Sequence, residues 1–265
     1  MAPSPLDDAR IAAGPPIPAG AVQVWIARLA PAALTEAEVH ADPLLSDVEK
    51  GQAARAAASR RREFVAGRRL LRTVLGAQLG CAPGAVPIVL GPSGKPMVGD
   101  AATGIDTAAL HCSLSHAGDV LVVAVSRAGA VGVDVERVHR VRHHEALTAR
   151  FFALEEQAAL AAVAEARRAE AFTRCWTRKE AMVKAIGTGI AGGLTTFAVP
   201  VEAAPMVRLL RAPDGWDAPG PRADADGVGP DREWVLRDLE VPPGYLASLA
   251  LRGADTPVAV LRVDP

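Results

Sequence analysis

The sequence predicts an α+β protein made of two successive halves, and three observations lead to this fold class. The 265 residues suffice for one large domain or for two domains of roughly 100–130 residues each. Half of the residues are hydrophobic, which is enough to fill a core. Segments with strand and helix patterns follow the order strand, helix, several strands, long helices, several strands, and such an order is typical of α+β folds.

The first half is expected to span residues 21–128, after a flexible, proline-rich leader at residues 1–20. The segment AVQVWIARL predicts an opening strand, and residues 35–79 carry a mostly helical pattern. The run VLVVAV at 120–125 is continuously apolar and β-branched, which predicts a strand that is buried on both faces.

The second half is expected to span residues 129–265 and to open with the strand VGVDVERV. A long helical region follows and stops at the glycine-rich segment GTGIAGG. Five more segments predict strands: 194–201, 206–212, 232–241, 245–252 and 258–263. Residues 213–231 are rich in Pro, Gly and Asp and predict a disordered loop.

Composition excludes several classes of function. A net charge of −1 and a pI of about 6.6 do not favour binding to nucleic acid or to an anionic membrane. The three cysteines show no CxxC spacing, so we expect buried thiols in a reducing compartment. Acidic residues precede any apolar run at the N-terminus, and no apolar stretch approaches the roughly 20 residues that a membrane span needs. A cytoplasmic location is expected.

Two carboxylates in the segment GVDVE predict a cation site. Residues two apart in a strand point to the same face, so Val133 and Val135 would face the core while Asp134 and Glu136 share the opposite face. Neighbouring carboxylates can hold a hard cation, and Mg²⁺ commonly uses one or two of them together with substrate phosphates. The alternative is an ordinary strand with one solvated face.

The helical segment 172–186 adds a third carboxylate. Trp176, Glu180 and Lys184 recur at intervals of four and form one stripe, with Lys179 beside it. The glycines that follow would let backbone N–H groups approach a ligand. The alternative is a surface Glu–Lys pair worth a few tenths of a kcal/mol. No nucleophile typical of hydrolases stands beside these residues, which indicates that the substrate brings its own.

Two further polar segments have open interpretations. The turn GPSGKP presents Lys95 and is either a solvated hairpin or part of a phosphate site. Ser115 and His116 precede a buried strand and could act in nucleophilic catalysis or bind phosphate. The arginine-rich helical stretch 59–72 could be a solvated face, an anion site or a nucleic-acid footprint, of which the last is the poorest in a near-neutral chain.

Together these motifs resemble a known family. GVDVE, then RFFALEE, then WTRKEAMVKAIGTG are similar to the signature of the 4′-phosphopantetheinyl transferases, in particular the larger surfactin-synthetase-activating (Sfp-type) class. GKP at 94–96, the Ser115–His116 pair and the closing VPPGY also match. The resemblance runs in family order from about residue 46 to residue 252, and the combined pattern is far more specific than any single motif.

The resemblance implies that the chain transfers the phosphopantetheine arm of coenzyme A to a serine of an apo acyl or peptidyl carrier protein. Adenosine 3′,5′-bisphosphate would be released, and the carrier serine would supply the nucleophile. Asp134, Glu136 and Glu180 would hold Mg²⁺, with Mn²⁺ as an alternative ion. Glu180, or a metal-bound water near it, would accept the serine proton. Lys184 would offset charge on the diphosphate, with Lys179 beside it.

The resemblance also implies a set of side chains for coenzyme A. It comprises Arg55, Arg62, Arg69, Lys95, Pro96, Ser115, His116, Lys179 and Lys184. Glu63 stands where the family often has an arginine, so Arg62 or Arg69 would take over that contact. The implied fold is an intramolecular pseudo-dimer of two similar halves with coenzyme A in the cleft between them, and a monomer is expected. The acidic carrier protein would dock on a basic or apolar edge around Phe151 and Phe152.

Two other functions remain open at this point. A metal-dependent nuclease or phosphodiesterase can also carry a D-x-E motif followed by Glu and Lys, although the near-neutral pI argues against it. A non-catalytic module that binds coenzyme A or a carrier would be expected to have lost some of Asp134, Glu136, Glu180 and Lys184, and all four are present.

Overall fold

The computed structural model describes residues 14–29, 33–99, 110–138, 144–189, 193–213, 216 and 233–263. Helices and strands alternate in the predicted order, which confirms the α+β class. Most of the predicted loop at 213–231 and the first 13 residues of the predicted leader lie outside the described residues.

The described residues of the first half form five strands and three α-helices. The strands are β1 (Val22–Arg28), β2 (Ile88–Leu90), β3 (Pro96–Val98), β4 (His111–Ala117) and β5 (Val120–Ser126). The helices are α1 (Glu36–His40), α2 (Asp47–Arg55) and α3 (Ala58–Leu79). Capping boxes start α1 and α2 at Thr35 and Ser46, each with a glutamate three residues later.

The second half contains three α-helices and five strands within the described residues. They are β6 (Gly132–Arg137), α4 (His144–Phe151), α5 (Leu154–Ala162), α6 (Glu165–Ile186), β7 (Met206–Arg208), β8 (Trp234–Leu239), β9 (Tyr245–Arg252) and β10 (Val258–Val263). None of the helices in the described ranges is long and apolar enough to cross a membrane.

Two four-stranded sheets share one connection pattern. Their strand orders are β10-β1-β5-β4 and β6-β9-β8-β7, and β2 pairs with β3 in a separate hairpin. β1 opens the first half and pairs with β5, the second strand of the β4–β5 hairpin. β6 opens the second half and pairs with β9, the second strand of the β8–β9 hairpin. A 22-residue helix precedes each of these hairpins, α3 in the first half and α6 in the second. The repeated order agrees with two similar halves, while the pseudo-dimer relation and the predicted domain boundaries stay predictions.

The last strand crosses the predicted boundary between the halves. β10 pairs in parallel with β1, so Val258 lies opposite Val22 and Val263 opposite Ala27. A parallel partner comes from a distant part of the chain, and local sequence pattern gives no information about such a pairing.

Two local predictions were wrong. The segment 194–201 forms a short 3₁₀ helix and a single bridge rather than a strand, because buried side chains satisfy its backbone: Glu156 accepts from the Val199 amide and Lys179 donates to the Phe197 carbonyl. Residues 14–20 are not a free leader, since Ile17 is buried and its amide donates to Gln78.

The arginines of α3 largely stabilise the first half from within. Arg72 donates to buried Glu49 and to the carbonyls of the turn at 83–86. Arg69 pairs with Asp42, whose side chain is almost completely buried. Arg61 donates to carbonyls at the end of α2. These internal ion pairs and caps account for much of the arginine-rich stretch without an external partner.

Candidate active site

A close helix–strand contact positions the site that the sequence predicts. α6 packs on β6 and β9, and Gly132 lies directly beneath the helix. A Cβ atom at Gly132 would overlap the Ala181 carbonyl oxygen and the Ala185 amide nitrogen, so only glycine permits this approach. Asp134 and Glu136 on β6 therefore lie beside the stripe of α6 that carries Glu180 and Lys184. We call these four residues the β6–α6 site.

Asp134, Lys184 and Ser115 form a hydrogen-bonded triangle. The Lys184 Nζ donates to Asp134 Oδ1 at 2.6 Å and to Ser115 Oγ at 2.9 Å. The Ser115 hydroxyl donates to the same Asp134 oxygen at 2.8 Å. Asp134 is 3% exposed, whereas the Lys184 side chain is 28% exposed and keeps access to solvent. The triangle joins a strand of the first half to a strand and a helix of the second.

Two carboxylate oxygens of the site are buried without a hydrogen-bond partner within the described residues. They are Asp134 Oδ2 and Glu180 Oε1. A buried, unpaired carboxylate oxygen is costly unless a donor or a cation satisfies it. Burial raises the pKa of Glu180 to about 7, and the neighbouring charges of Asp134 and Glu136 add to this while Lys184 opposes it. The site thus concentrates negative charge that a cation would stabilise.

The described part of the chain shows no group of three or more His, Cys, Asp or Glu side chains that could hold a metal ion. Lys184, rather than a third carboxylate, lies against Asp134. Mg²⁺ commonly takes one or two protein carboxylates and fills its remaining positions with water and substrate phosphates. The two unpaired oxygens of Asp134 and Glu180 fit that smaller requirement, and Glu136 lies close enough to raise the pKa of Glu180.

The structure corrects the expectation that Lys179 binds phosphate. Its side chain is completely buried on the inward face of α6. Its Nζ donates to both Glu156 carboxylate oxygens and to the Phe197 carbonyl. Burial lowers the pKa of Lys179, and the charge of Glu156 opposes that shift. All three N–H donors already have protein acceptors, so Lys179 supports the fold rather than a ligand.

Lys95 reaches from the β2–β3 hairpin to the second half. Its Nζ donates to the Lys184 carbonyl at 2.6 Å and to the Val131 carbonyl at 3.0 Å. Burial lowers its pKa to about 8. In the same turn, the Ser93 hydroxyl donates to the Gly187 carbonyl at 3.1 Å. The turn that contains Lys95 and Pro96 therefore lies against the end of α6, next to the β6–α6 site.

His116 lies in a groove of about 560 Å³ between α3 and the β4–β5 turn, which we call the His116 groove. Nδ1 of His116 is 3.5 Å from Glu63, and burial by the surrounding groups lowers the pKa of the ring. Arg60 and Gln52 also line the groove, and sequence reasoning did not single them out. A basic residue one helical turn before Glu63 is the signal that could have identified Arg60.

The expected arginine set is only partly assembled. Arg69 is held by Asp42, as described above, and its contact with a nucleotide would require that ion pair to open. Arg55 is exposed at the end of α2, and Arg62 is half-buried on α3. Neither Arg55 nor Arg62 lines the His116 groove, where Arg60 is the arginine present.

Comparisons with known proteins match the part of the chain that carries the β6–α6 site. Residues 130–219 match the family model of the 4′-phosphopantetheinyl transferase superfamily. Over this segment the chain is similar to the superfamily. The matched segment contains all four residues of the β6–α6 site, whereas Lys95, Ser115 and His116 lie before it.

Several curated proteins named as phosphopantetheinyl transferases are similar to the chain. The 4′-phosphopantetheinyl transferase HetI of Nostoc sp. is 37% identical over 131 residues, which are 49% of this chain and 54% of that protein. The 4′-phosphopantetheinyl transferase psf-1 of Bacillus pumilus is 34% identical over 122 residues, 46% and 48% of the two chains. The chain thus spans about half the length of these relatives. A phosphopantetheinyl transferase of Thraustochytrium sp. is 29% identical over 248 residues, 88% of this chain and 80% of that protein.

Proposed function

We propose that this chain transfers the 4′-phosphopantetheine arm of coenzyme A to a serine of an apo acyl or peptidyl carrier protein, as a transferase of the Sfp-type class. The observation that carries the proposal is the β6–α6 site. Two buried carboxylates with unpaired oxygens lie next to a lysine that keeps solvent access, and all of them fall in the segment that matches the superfamily. Such a site suits a diphosphate with its cation.

Mg²⁺ fits the donors that the chain presents. The candidate ligands are carboxylate oxygens of Asp134, Glu180 and Glu136, which are the hard donors that Mg²⁺ prefers. When bound, Mg²⁺ would neutralise charge on the coenzyme A diphosphate and withdraw electron density from it. Mn²⁺ has the same preference for carboxylate oxygen and is the alternative ion.

Lys184 is the cation that the chain itself supplies. Two of its three N–H groups are directed at Asp134 and Ser115, which fixes the ammonium at the mouth of the site. The third can meet a phosphate oxygen, and phosphoryl transfer depends mostly on such positioning and charge neutralisation. Negative charge grows on the leaving phosphate during the reaction, so Lys184 stabilises the departing group more than the bound substrate.

Glu180 is the proton acceptor in this proposal. Its carboxylate is partly exposed on the same stripe as Lys184 and has one unpaired buried oxygen. A base whose pKa lies near the working pH transfers protons most effectively. Glu180 accepts the proton of the carrier serine as the serine oxygen bonds to the phosphorus that bears the pantetheine arm. The bridging P–O bond breaks, and its oxygen leaves with adenosine 3′,5′-bisphosphate.

The nucleotide would lie towards the first half. The His116 groove opens beside the strand that carries Ser115, and the turn with Lys95 and Pro96 lies against the end of α6. Arg60 gives this groove a fixed positive charge for a phosphate. The protein is proposed to work as a cytoplasmic monomer, because residues of the two halves of one chain meet in the Ser115–Asp134 contact at the site.

The carrier would dock beside the start of α5. Phe152 is fully buried in the second core and cannot contact a partner, which corrects the expectation for this residue. Leu154 is 80% exposed two residues later, and Phe151 is half-buried under Arg150. An exposed leucine four residues after an arginine suits the acidic, partly apolar helix of a carrier protein.

Intact-protein mass spectrometry of an apo carrier tests the proposal. The carrier is incubated with the chain, coenzyme A and Mg²⁺, with EDTA in a parallel reaction and with the Asp134→Asn variant as a protein control. We expect a mass gain of one phosphopantetheine group that requires both Mg²⁺ and Asp134. If no gain occurs with fatty-acid, polyketide and peptide carriers, the proposed function is wrong for these classes. A gain that persists in EDTA would refute the metal requirement alone.

A further inference from the structure

Ser113 and Ser115 join the two halves of the molecule at the edge of the β6–α6 site. Both serines lie on the face of β4 that is turned towards β6, since residues two apart in a strand share a face. Ser113 Oγ accepts from the Val133 amide at 3.0 Å, and Ser115 Oγ accepts from the Val135 amide at 3.4 Å. Side-chain hydroxyls thus meet β6 amides where β4 and β6 pass each other.

Only one of these two serines is connected to the chemistry. Ser115 Oγ donates to Asp134 Oδ1 and accepts from the Lys184 ammonium, while Ser113 Oγ accepts from the Val133 amide. Both serines are buried, at 1% exposure for Ser113 and 6% for Ser115. The two therefore differ chiefly in their link to the carboxylate and the lysine.

We propose that Ser115 is a positioning residue that orients Asp134 and Lys184, rather than a direct ligand of coenzyme A. This inference rests on the proposed function of the same site. The Ser115 hydroxyl and the Lys184 ammonium both donate to Asp134 Oδ1 and fix the orientation of the carboxylate. The unpaired Oδ2 is then the oxygen left for a cation. The hydroxyl also holds the Lys184 ammonium in place from the opposite half of the molecule.

The geometry leaves Ser115 little capacity for a phosphate. A hydroxyl has one donor and two acceptor positions. The donor is directed at Asp134, and the acceptor positions face Lys184 and the Val135 amide. A phosphate oxygen only accepts, so it would have to take the donor away from Asp134. A ligand role and a positioning role therefore predict different effects of removing the hydroxyl.

The test compares Ser115→Ala with Ser113→Ala as a matched control. Binding of coenzyme A is measured by calorimetry in EDTA, kcat and KM by carrier modification with Mg²⁺, and folding by urea unfolding. For Ser115→Ala we expect kcat to fall about 10–100-fold, because a small displacement of reacting groups has that effect, with coenzyme A affinity changed less than about twofold. Ser113→Ala should lose similar stability and keep wild-type kcat.

Further outcomes separate the proposal from its alternatives. A Ser115→Ala variant that binds coenzyme A at least about tenfold more weakly at unchanged kcat would show a ligand role and overturn the inference. Equal kcat in the two alanine variants would reduce Ser115 to a structural contact. Ser115→Thr restores a hydroxyl and should recover most of the lost kcat. If the wild-type chain itself modifies no carrier, the proposed function fails before the serines are compared.

Discussion

Lys179 and Glu156 form an ion pair from which water is excluded. Both side chains are completely buried, and the Lys179 Nζ lies 2.6 and 2.7 Å from the two carboxylate oxygens. Glu156 also accepts from the amides of Ala153 and Val199, so it ties α6 to the start of α5 and to the segment after α6. The neighbour of Lys179 in sequence is Glu180, and the pair thus fixes the rotation of α6 that presents Glu180 to the site.

Lys179→Met is expected to destabilise the protein strongly. Removing one partner leaves the Glu156 charge buried and unpaired, and such losses cost about 3–5 kcal/mol. Urea unfolding measures the change in the free energy of unfolding. Lys50→Met is the control, since its partner Asp47 is fully exposed and the same substitution leaves no buried charge there, so it should cost far less. A Lys179→Met variant of normal stability but weakened coenzyme A binding would restore the phosphate role that the sequence suggested.

Gly132→Ala is expected to displace α6 or to prevent folding. The added methyl group would overlap the Ala181 carbonyl and the Ala185 amide, which belong to helix backbone and cannot turn aside. We expect loss of more than about 3 kcal/mol of stability or an insoluble product. Thermal unfolding measures the effect. Gly51→Ala is the control: it lies in α2 with only the Arg55 side chain nearby, and alanine should be neutral or stabilise there by up to about 1 kcal/mol.

Sequence pattern predicted the parts of the site that depend on local geometry. The period of two in β6 placed Val133 and Val135 in the core, and both are buried. The period of four in α6 placed Glu180 and Lys184 on one stripe, and both are partly exposed there. Local periodicity sets which side chains share a face, so these assignments needed no knowledge of the rest of the fold.

The pattern could not decide which charged face of α6 turns inward. Lys179 and Glu180 are adjacent and both polar, and the burial of Lys179 depends on Glu156, which comes from another helix. The Ser115–Asp134 contact depends on how the two halves pack together, and the pairing of β10 with β1 joins the ends of the described chain. Long-range contacts of this kind leave no periodic trace in the sequence.

Replacement of Glu180 is expected to change how stability depends on pH. Its pKa is about 7 in the folded protein, above the ordinary value of 4.5, so the folded state binds this proton more tightly than the unfolded chain. Stability from this group is therefore present below the unfolded pKa and is lost as the pH rises towards the folded value. Glu180→Gln should gain stability over wild type on going from about pH 5 to about pH 8, on the order of 1–2 kcal/mol after allowance for partial exposure.

Urea unfolding of both proteins in EDTA at these two pH values measures that difference. Other titrating groups are the same in the two proteins, so their contributions largely cancel. Glu155→Gln is the control, since Glu155 forms an exposed ion pair with Arg211 and the pKa of Glu155 is lowered rather than raised. If the stability of Glu180→Gln follows that of wild type at both pH values, the folded pKa of Glu180 is not raised.

Asp134→Asn is expected to abolish transfer while the protein stays folded. The amide keeps the size of the side chain and can still accept from Lys184 and Ser115 through its oxygen, but it offers a neutral group where Oδ2 stood. We expect kcat/KM for carrier modification to fall at least about 100-fold, the scale on which charge-stabilising groups act in active sites. Raising Mg²⁺ should not restore the rate, because the ligand itself has changed.

The matched control for this variant is Asp47→Asn, at a fully exposed aspartate on α2. It makes the same change of charge outside the β6–α6 site and should keep the wild-type rate, so a loss confined to Asp134→Asn reflects the site and not the net charge. Coenzyme A binding in EDTA adds a second readout. Asp134 repels the diphosphate when no cation is present, so Asp134→Asn should bind coenzyme A at least as tightly as wild type under those conditions. Weaker binding in EDTA together with normal turnover in Mg²⁺ would mean that Asp134 holds the substrate and not the metal.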